Sequence, residues 1–419
     1  MELKDIDLSD IEFWKRPLDE RAAAFATLRA RAELPFFAEP EPPPGMPHGP
    51  GYYALTRHAD VVEASRHPEL FCSGKGTNIG DLPPEFLEFF GSMINLDDPR
   101  HVRFRRIVSR AFTPRFIDSL KADVSQIAAE IIADIAPRGQ CDFVTEVAAL
   151  LPLRVIIDLM GIPRREEKFI FDRTNVILGF TDPEYVSSDD PQEVIGALLT
   201  AGAELADVVR EIGEDRLRQP RNDITTALVT AEVDGEQLTP AELASFFILL
   251  VVAGNETTRN AIGHGLHLLT RFPDQRARWQ ADFESVAPTA VEEIVRWASP
   301  VIHFRRTVTT EGARLGDQVF AEGDKVVMWY WSANRDESVF ADAEAFDVTR
   351  KPNDHVGFGG PGPHFCLGAH LARREITVAF RELFRTVPDI HTTGEPDRLQ
   401  SAFINGVKHL PAEWTPVGQ

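Results

Sequence analysis

Cysteine is scarce in this chain: three in 419 residues, at positions 72, 141 and 366. The number is odd and no C-x-x-C pair occurs, which excludes a disulfide framework and leaves a structural zinc site without a ligand set. Basic charge is short as well. Lys and Arg number 44 against 65 Asp and Glu, a formal net charge of −21, so wrapping nucleic acid or lying on an anionic membrane is disfavoured. The longest strongly apolar stretch is Phe246–Ala253, far below the roughly 20 residues of a membrane span. The opening MELKDIDLSDIEFWKR has no apolar h-region, so no signal peptide is expected. There is no repeat of fixed period and no stretch with the composition of a flexible linker. The expectation is one cytoplasmic domain over residues 1–419, whose partners are small molecules or proteins docking at a local basic patch.

What is present reads mainly as helix. Residues 20–33 look helical, the Pro-rich run 41–51 is an irregular connector, YYALTRH (52–58) suits a strand and HADVVEASRH (58–67) a short helix. From Thr113 to about Arg271 helical patterns dominate, broken at Gly161-Ile162-Pro163 and Asp182-Pro183. From Phe304 to Trp331, β-branched segments alternate with Glu311-Gly312, Leu315-Gly316-Asp317 and Glu322-Gly323-Asp324, which predicts short strands joined by turns. The predicted fold is mainly α, a large helical lobe beside a small β-rich one.

The most informative segment is HVGFGGPGPHFCLGAHLARREI, residues 355–376. Its glycines and prolines make a loop whose backbone can approach another group closely. Leu367, Leu371, Val378 and Phe380 then fit one apolar side of a helix, which puts Cys366 at a helix N-terminus. Free amides and the positive dipole end favour a thiolate there. Such a sulfur can ligate a metal, act as a nucleophile, or be an inert buried thiol.

The run Gly360-x-Gly362-x-His364-x-Cys366-x-Gly368 resembles the haem-binding signature of the cytochrome P-450 monooxygenases. The resemblance implies that Cys366 is the axial thiolate of haem iron (haem b, iron protoporphyrin IX). It further implies that the haem lies between a long central helix and the helix after the cysteine loop. The family usually carries Phe seven residues before the cysteine; here that position is Gly359, and Phe358 lies one earlier.

Distant segments agree with this resemblance. Thr239-Pro240 marks a helix start, and the helix can run to about Phe272, roughly 30 residues and about 50 Å. Phe246–Ala253 is apolar on all sides and should be buried. Ala253-Gly254-Asn255-Glu256-Thr257-Thr258 follows it, and an acid and an alcohol inside a buried helix are costly without partners or a task. The plain alternative is a Thr hydroxyl bonded to the i−4 carbonyl and a Glu reaching a surface. The family resemblance implies instead that Glu256 and Thr257 form an acid–alcohol pair beside Ala253, opposite the iron, organising water and delivering protons. Thr289-Ala290-Val291-Glu292 reads as a capping box, and Glu293 and Arg296 share a helix face. They match the family's structural E-x-x-R, with Arg350 as third member of the charge cluster.

In DDPRHVRFRRIVSRAFTP (97–114), Phe104, Ile107, Val108 and Ala111 make a buried stripe and His101 and Arg105 share a second face. By resemblance His101, Arg105, Arg306 and His364 bind haem propionates, for which the guanidinium fork is suited. Arg103, Arg106 and Arg110 lie on a third face. Such a run is commonly a solvated face, but in so acidic a chain it is a candidate dock for an acidic ferredoxin.

The segments expected over the haem, Phe86–Ile94, Leu178, Leu249–Ala253, Val301–Phe304 and Phe403-Ile404, are largely apolar. Among them Phe90, Ile94, Leu178, Leu249, Val252, Ala253, Val301 and Phe403 are the expected substrate contacts, fitting a long, weakly polar substrate. LLVVAGNETTRNAI, EEIVRWASPV, FGSMI with LDDPRH, and TNVILGF are similar to an actinobacterial subgroup that ω-hydroxylates methyl-branched lipids, whose relatives oxidise sterol side chains. The resemblance implies a dioxygen-using hydroxylase of a terminal carbon. No flavin or iron–sulfur module is evident, so electrons are expected from a separate ferredoxin and ferredoxin reductase. A tailoring hydroxylase of a terpenoid or macrolide, a peroxide-driven peroxygenase and a haem-binding sensor are the alternatives.

Overall fold

The structure, a computed structural model, describes residues 2–418 apart from 41, 43–47, 112–120, 189 and 233–234. Its axis is the helix Pro240–Arg271. The Thr-Pro start is sealed in both directions: the Glu242 amide donates to Thr239 Oγ1 at 3.2 Å, and the Thr239 amide donates to Glu242 Oε2 at 2.9 Å. Helices Pro84–Gly91, Leu150–Met160, Pro191–Arg218, Phe283–Ala298 and Ala369–Thr386 pack around it. By length and composition this is the one helix among the described residues that could cross a bilayer, a wider apolar span than Phe246–Ala253 alone suggests. The neighbouring helices cover much of its surface, as they do for a core helix.

The β-rich part is a five-stranded sheet in the order Phe36–Phe37, Tyr52–Leu55, Lys325–Trp329, His303–Val308, Phe71–Cys72. Only the pairing of Tyr52–Leu55 with Lys325–Trp329 is parallel. Trp329 stacks on Trp14 with centroids 5.4 Å apart and meets Phe25 at 5.5 Å, which fastens the N-terminal helices to the sheet. The predicted strand before the helix His58–Arg66 ends three residues early, at Leu55, and the first long helix is Leu18–Arg29 rather than 20–33. The reading of 97–114 as one helix is met by Arg100–Ala111; residues 113–114 lie outside the described residues.

Thr289 is not a helix cap. The helix begins at Phe283 behind Asp282, whose carboxylate accepts the Ser285 amide at 3.4 Å, and continues through Pro288. Thr289 Oγ1 lies instead against the carbonyls of Val286 and Val348. The spacing of a capping box is thus present inside a helix whose true cap lies two turns earlier.

Glu293 and Arg296 are fully buried. Arg296 forks onto both Glu293 oxygens at 2.7 and 2.8 Å and donates to the carbonyls of Asn334, Ala343 and Ala345. Glu293 also accepts from Arg350 Nε at 3.1 Å, the Asp347 amide at 3.0 Å and Asn353 Nδ2 at 3.1 Å. Complete satisfaction is what makes a charge pair at zero exposure tolerable, and removing one partner of such a pair costs about 3–5 kcal/mol. Arg296→Leu is therefore expected to lower stability by about that amount in chemical unfolding, and a loss below about 1 kcal/mol would contradict the structural role.

Candidate functional site

The loop before the helix Ala369–Thr386 is held from three sides. Gly359 takes φ +88°, and a Cβ on Gly362 or Gly360 would stand 2.2 Å from Ser65 O or 2.4 Å from Ser65 Oγ. Only glycine permits that approach. The Cys366 amide donates to Phe358 O at 3.0 Å. The extra residue relative to the family pattern is thus absorbed at Gly359, and Phe358 still lines the space around the sulfur. Arg373 stacks over Phe358 at 4.4 Å and pairs with Glu292, which also accepts from His355 Nε2 at 2.9 Å. His355 Nδ1 accepts the Gly357 amide, so the ring proton sits on Nε2.

Cys366 lies deep in the molecule with its side chain open to an internal cavity of about 1590 Å³ of atom-free space, mouth included. Burial pushes its thiol above the ordinary value, although the Gly368 and Ala369 amides and the Arg105 and Arg373 guanidiniums pull the other way. The helix N-terminus alone therefore does not make the thiolate expected from sequence. A directly bonded cation would, because coordination deprotonates a thiol.

One side of this cavity is crowded with basic side chains. Arg105, Arg306 and His364 line it, and His101 stacks on His364 with centroids 4.2 Å apart. Arg105 Nη2 donates to Phe365 O at 2.7 Å, Arg306 Nη1 to Arg305 O at 2.8 Å, and His364 Nε2 lies 3.1 Å from Ser73 Oγ. Neither arginine has an ion-pair partner among the described residues, and the buried His101 Nε2 has no hydrogen bond. Burial, with Arg306, His101 and Arg105 close by, drives His364 down to about 2. Burial also lowers Arg105, Arg306 and His101. Asp98 reaches His101 at 3.7 Å, but among the described residues no carboxylate pairs with Arg105, Arg306 or His364, and a group carrying two carboxylates fits there. Gly368 completes the fit: no heavy atom lies within 4 Å of where its Cβ would be. The donor set, one thiol beside four basic side chains and open room, suits haem.

Opposite, the central helix contributes Leu249, Ala253 and Thr257, one face at i, i+4 and i+8, with Ile94 and Val301 from neighbouring segments. Thr257 Oγ1 donates to Ala253 O at 2.8 Å. Glu256 does not line the cavity. It is buried, ion-paired with Arg259, and accepts from Asn260 Nδ2 at 3.1 Å. Arg259 in turn donates to Asn175 Oδ1 at 2.9 Å on the helix Glu167–Leu178. The acid next to the alcohol is thus turned to Arg259 and Asn260, and the expected pair is split in this structure.

Four of the expected substrate contacts also lie elsewhere. Val252 is turned into the core, Phe90 and Leu178 pack on that core from its edge, and Phe403 packs on the rings of His303 and Phe304. Sequence reasoning missed Ile156, Thr258, Tyr330 and Glu375, all of which line the cavity. Arg103 is not a free cation: it pairs with Glu236 and Glu242. The side chain of Arg110 lies outside the described residues.

Glu292 gives the loop a pH dependence. Burial would raise its carboxyl, but the hydrogen bonds from His355 and Arg373 outweigh that and hold it at about 2. A carboxylate depressed in the folded state stabilises above its unfolded value of about 4.3 and loses that contribution as pH falls toward about 2. Glu292→Gln is expected to cost on the order of 2–3 kcal/mol near pH 6, with the gap to the unaltered protein narrowing to about half by pH 3 in thermal unfolding. A gap independent of pH would refute this.

Comparison with known proteins places these features. The family model described as Cytochrome P450 matches residues 167–388. The chain is 52% identical over 416 residues to a Methyl-branched lipid omega-hydroxylase of Mycobacterium tuberculosis, covering 99% of this chain and 95% of that one. It is 41% identical over 396 residues to a Steroid C26-monooxygenase of Rhodococcus jostii, covering 93% and 81%. A solved Mycobacterium marinum cytochrome P450 in complex with pseudoionone superposes with a TM-score of 0.93 at 40% identity, covering 98% of both chains. With its thiol loop, cation cluster and central helix arranged in that fold, this chain belongs to the cytochrome P450 family of monooxygenases.

Proposed function

We propose that residues 1–419 form a single haem b-dependent monooxygenase that hydroxylates the terminal carbon of a methyl-branched lipid or a sterol side chain. It works in the cytoplasm with dioxygen and with electrons from a separate ferredoxin and its reductase. The observation that carries the chemistry is the convergence of Cys366, an anion-seeking cluster and Thr257 on one apolar cavity. The substrate class is supported by the relatives' names and by the lining from Ile94, Leu249, Ala253 and Val301, which offers carbon surface and few donors.

Cys366 ligates the iron, and His101, Arg105, Arg306 and His364 hold the two carboxylates of the haem. Haem, when bound, supplies dioxygen activation, with the thiolate pushing electron density onto iron. The chain supplies position and protons. Ala253 and Gly368 leave space on the two sides of the haem. Thr257 gives its own proton to Ala253 O, so its oxygen is free to accept from a cavity water and fix that water near the reacting centre. Glu256 can join this relay only by exchanging its bond to Arg259 for one to water. Terminal C–H bonds are stronger than internal ones, so selectivity for the chain end rests on holding internal carbons away, a positioning effect.

The reduced protein should show the thiolate-type carbon monoxide spectrum, and Cys366→Ser should abolish it. Branched fatty acids and sterols should shift the haem spin state, with terminal alcohols identified by product mass spectrometry in the presence of NADH, reductase and ferredoxin. In-chain products only, or equal turnover with peroxide alone, would favour the alternatives. Thr257→Ala should keep consuming electrons while product falls by about a hundredfold, the lower end for a lost proton-transfer group; unchanged coupling would refute the relay.

A further inference from the structure

We propose that the protein carries a second anion site, outside the haem cavity, where Arg21, Arg271 and Arg398 meet beside His264 and His267. Its ligand is a phosphate-type dianion, free or as the end group of a small phosphomonoester. In a chain of net charge −21 an arginine is expected to find a carboxylate. These three do not: among the described residues none of their guanidiniums makes a hydrogen bond or an ion pair. Arg21, on the helix Leu18–Arg29, is only 6% exposed, and its Nε is buried without a partner. Arg398, in the short strand Asp397–Arg398, buries Nη1 in the same state. His264 Nδ1 and His267 Nε2 are buried without a hydrogen bond as well. The aromatic cover is carbon, with the Arg21 guanidinium 6.0 Å from the centre of the Trp14 ring. None of the five residues lines the cavity beside Cys366.

The five side chains share one electrostatic neighbourhood. Burial first, and then Arg398, lowers Arg21, His264 and His267; Arg271 adds to the effect on His267 and acts on Arg398. Arg21 and Arg398 come down to about 10, His267 to about 4 and His264 to about 3. At neutral pH both histidines are therefore uncharged and the three guanidiniums hold the charge. One carboxylate answers them: Glu395, itself exposed, lies 3.7 Å from His267 Nε2. Asp397 beside it is taken by Lys408. Three cations against one carboxylate leave a charge of +2, which a dianion neutralises. Oxygens on every side of a phosphate suit the guanidinium fork, and they would give Arg21 Nε and Arg398 Nη1 the acceptors they lack. With the Thr392 hydroxyl donating to His267 Nδ1 at 3.3 Å, Nε2 carries the ring proton and adds a donor. The exposed Arg271 marks the open side, by which a phosphomonoester enters end-on. An occupant would tie the helix Leu18–Arg29 and the end of the central helix to the strand Asp397–Arg398.

The test titrates the haem-loaded protein with inorganic phosphate by calorimetry and thermal unfolding, at an ionic strength held constant with chloride. Phosphate should bind saturably and raise the melting temperature by about 2 °C or more at saturation, and chloride alone should not. Glycerol phosphate in a parallel titration tells the end group from the free ion: binding of both supports a site open beside Arg271, and binding of inorganic phosphate alone supports a closed one. Arg398→Met and Arg21→Met should weaken phosphate about tenfold or more, the scale of a lost hydrogen bond to a charged group. The exposed Arg271→Gln should weaken it about two- to fivefold, the scale of an exposed ion pair. Haem content and the carbon monoxide spectrum should stay unchanged in all three, which separates this site from the cluster beside Cys366. Absence of saturable phosphate binding overturns the proposal, as does an affinity unaltered in Arg398→Met or Arg271→Gln. Arg271→Gln changes only a surface side chain, so it decides the matter if the buried variants fail to fold. Calorimetry reads the anion directly, so a failure of thiolate ligation, which the carbon monoxide spectrum reports, is a separate result.

Discussion

The approach to the cysteine loop is fastened by one carboxylate held at zero exposure. Glu293 is held by Arg296 of its own helix and by Arg350, Asn353 and the Asp347 amide, and the last three belong to the segment leading into the loop before Cys366. The next residue, Glu292, points to the other side of the same helix turn and clamps His355 and Arg373. Two adjacent acids thus anchor the entry and the exit of the loop. A helix places neighbours about 100° apart, so one acid can be sealed inside while the other reaches the adjoining helix. The loop needs both, because its glycines contribute little conformational preference of their own.

The charge of the chain is partitioned accordingly. Although the net value is −21, the cavity side next to the cysteine is built of His101, Arg105, Arg306 and His364, and its two arginines have no ion-pair partner among the described residues. Holding them together costs folding free energy that a bound dianion would return, as binding to the native state alone does. Arg103, one helix face away, already has carboxylates of its own. The arginines of one basic helix therefore serve different ends, and helical spacing separates them.

Local chemistry was legible in advance where a pattern is set by its immediate neighbours. Thr239-Pro240 starts a helix because the capping hydroxyl and the missing proline N–H act within one turn. Gly161 ends one because it takes the left-handed conformation, φ +67°. The cysteine loop was readable for the same reason. What could not be read was direction. Leu249 and Val252 sit in one apolar run, yet only the first faces the cavity. Ile156 and Tyr330 reach it from distant segments whose crossing no periodicity encodes. Thr289 imitates a cap because box spacing also fits the interior of a helix. Glu375 did carry a signal: an acid four residues after Leu371 falls on the apolar side of its own helix.

The cavity exists because two helices that touch at one end part at the other. At Gly265 a Cβ would come within 2.7 Å of the Phe380 ring, so the central helix and the cysteine helix are in direct contact there. Toward Cys366 the facing positions are Ala261, Thr257 and Ala253 on one helix and Leu371, Ala372 and Gly368 on the other. Four small residues, an alcohol and one leucine cannot fill the gap that Phe380 closes farther along. Keeping the helices apart here forgoes direct contact between their walls, and a bound group restores that contact. The polar groups in its lining include Thr257, whose hydroxyl donates to Ala253 O, and Thr258. A largely apolar space beside the cysteine arises from this shortage of side-chain volume.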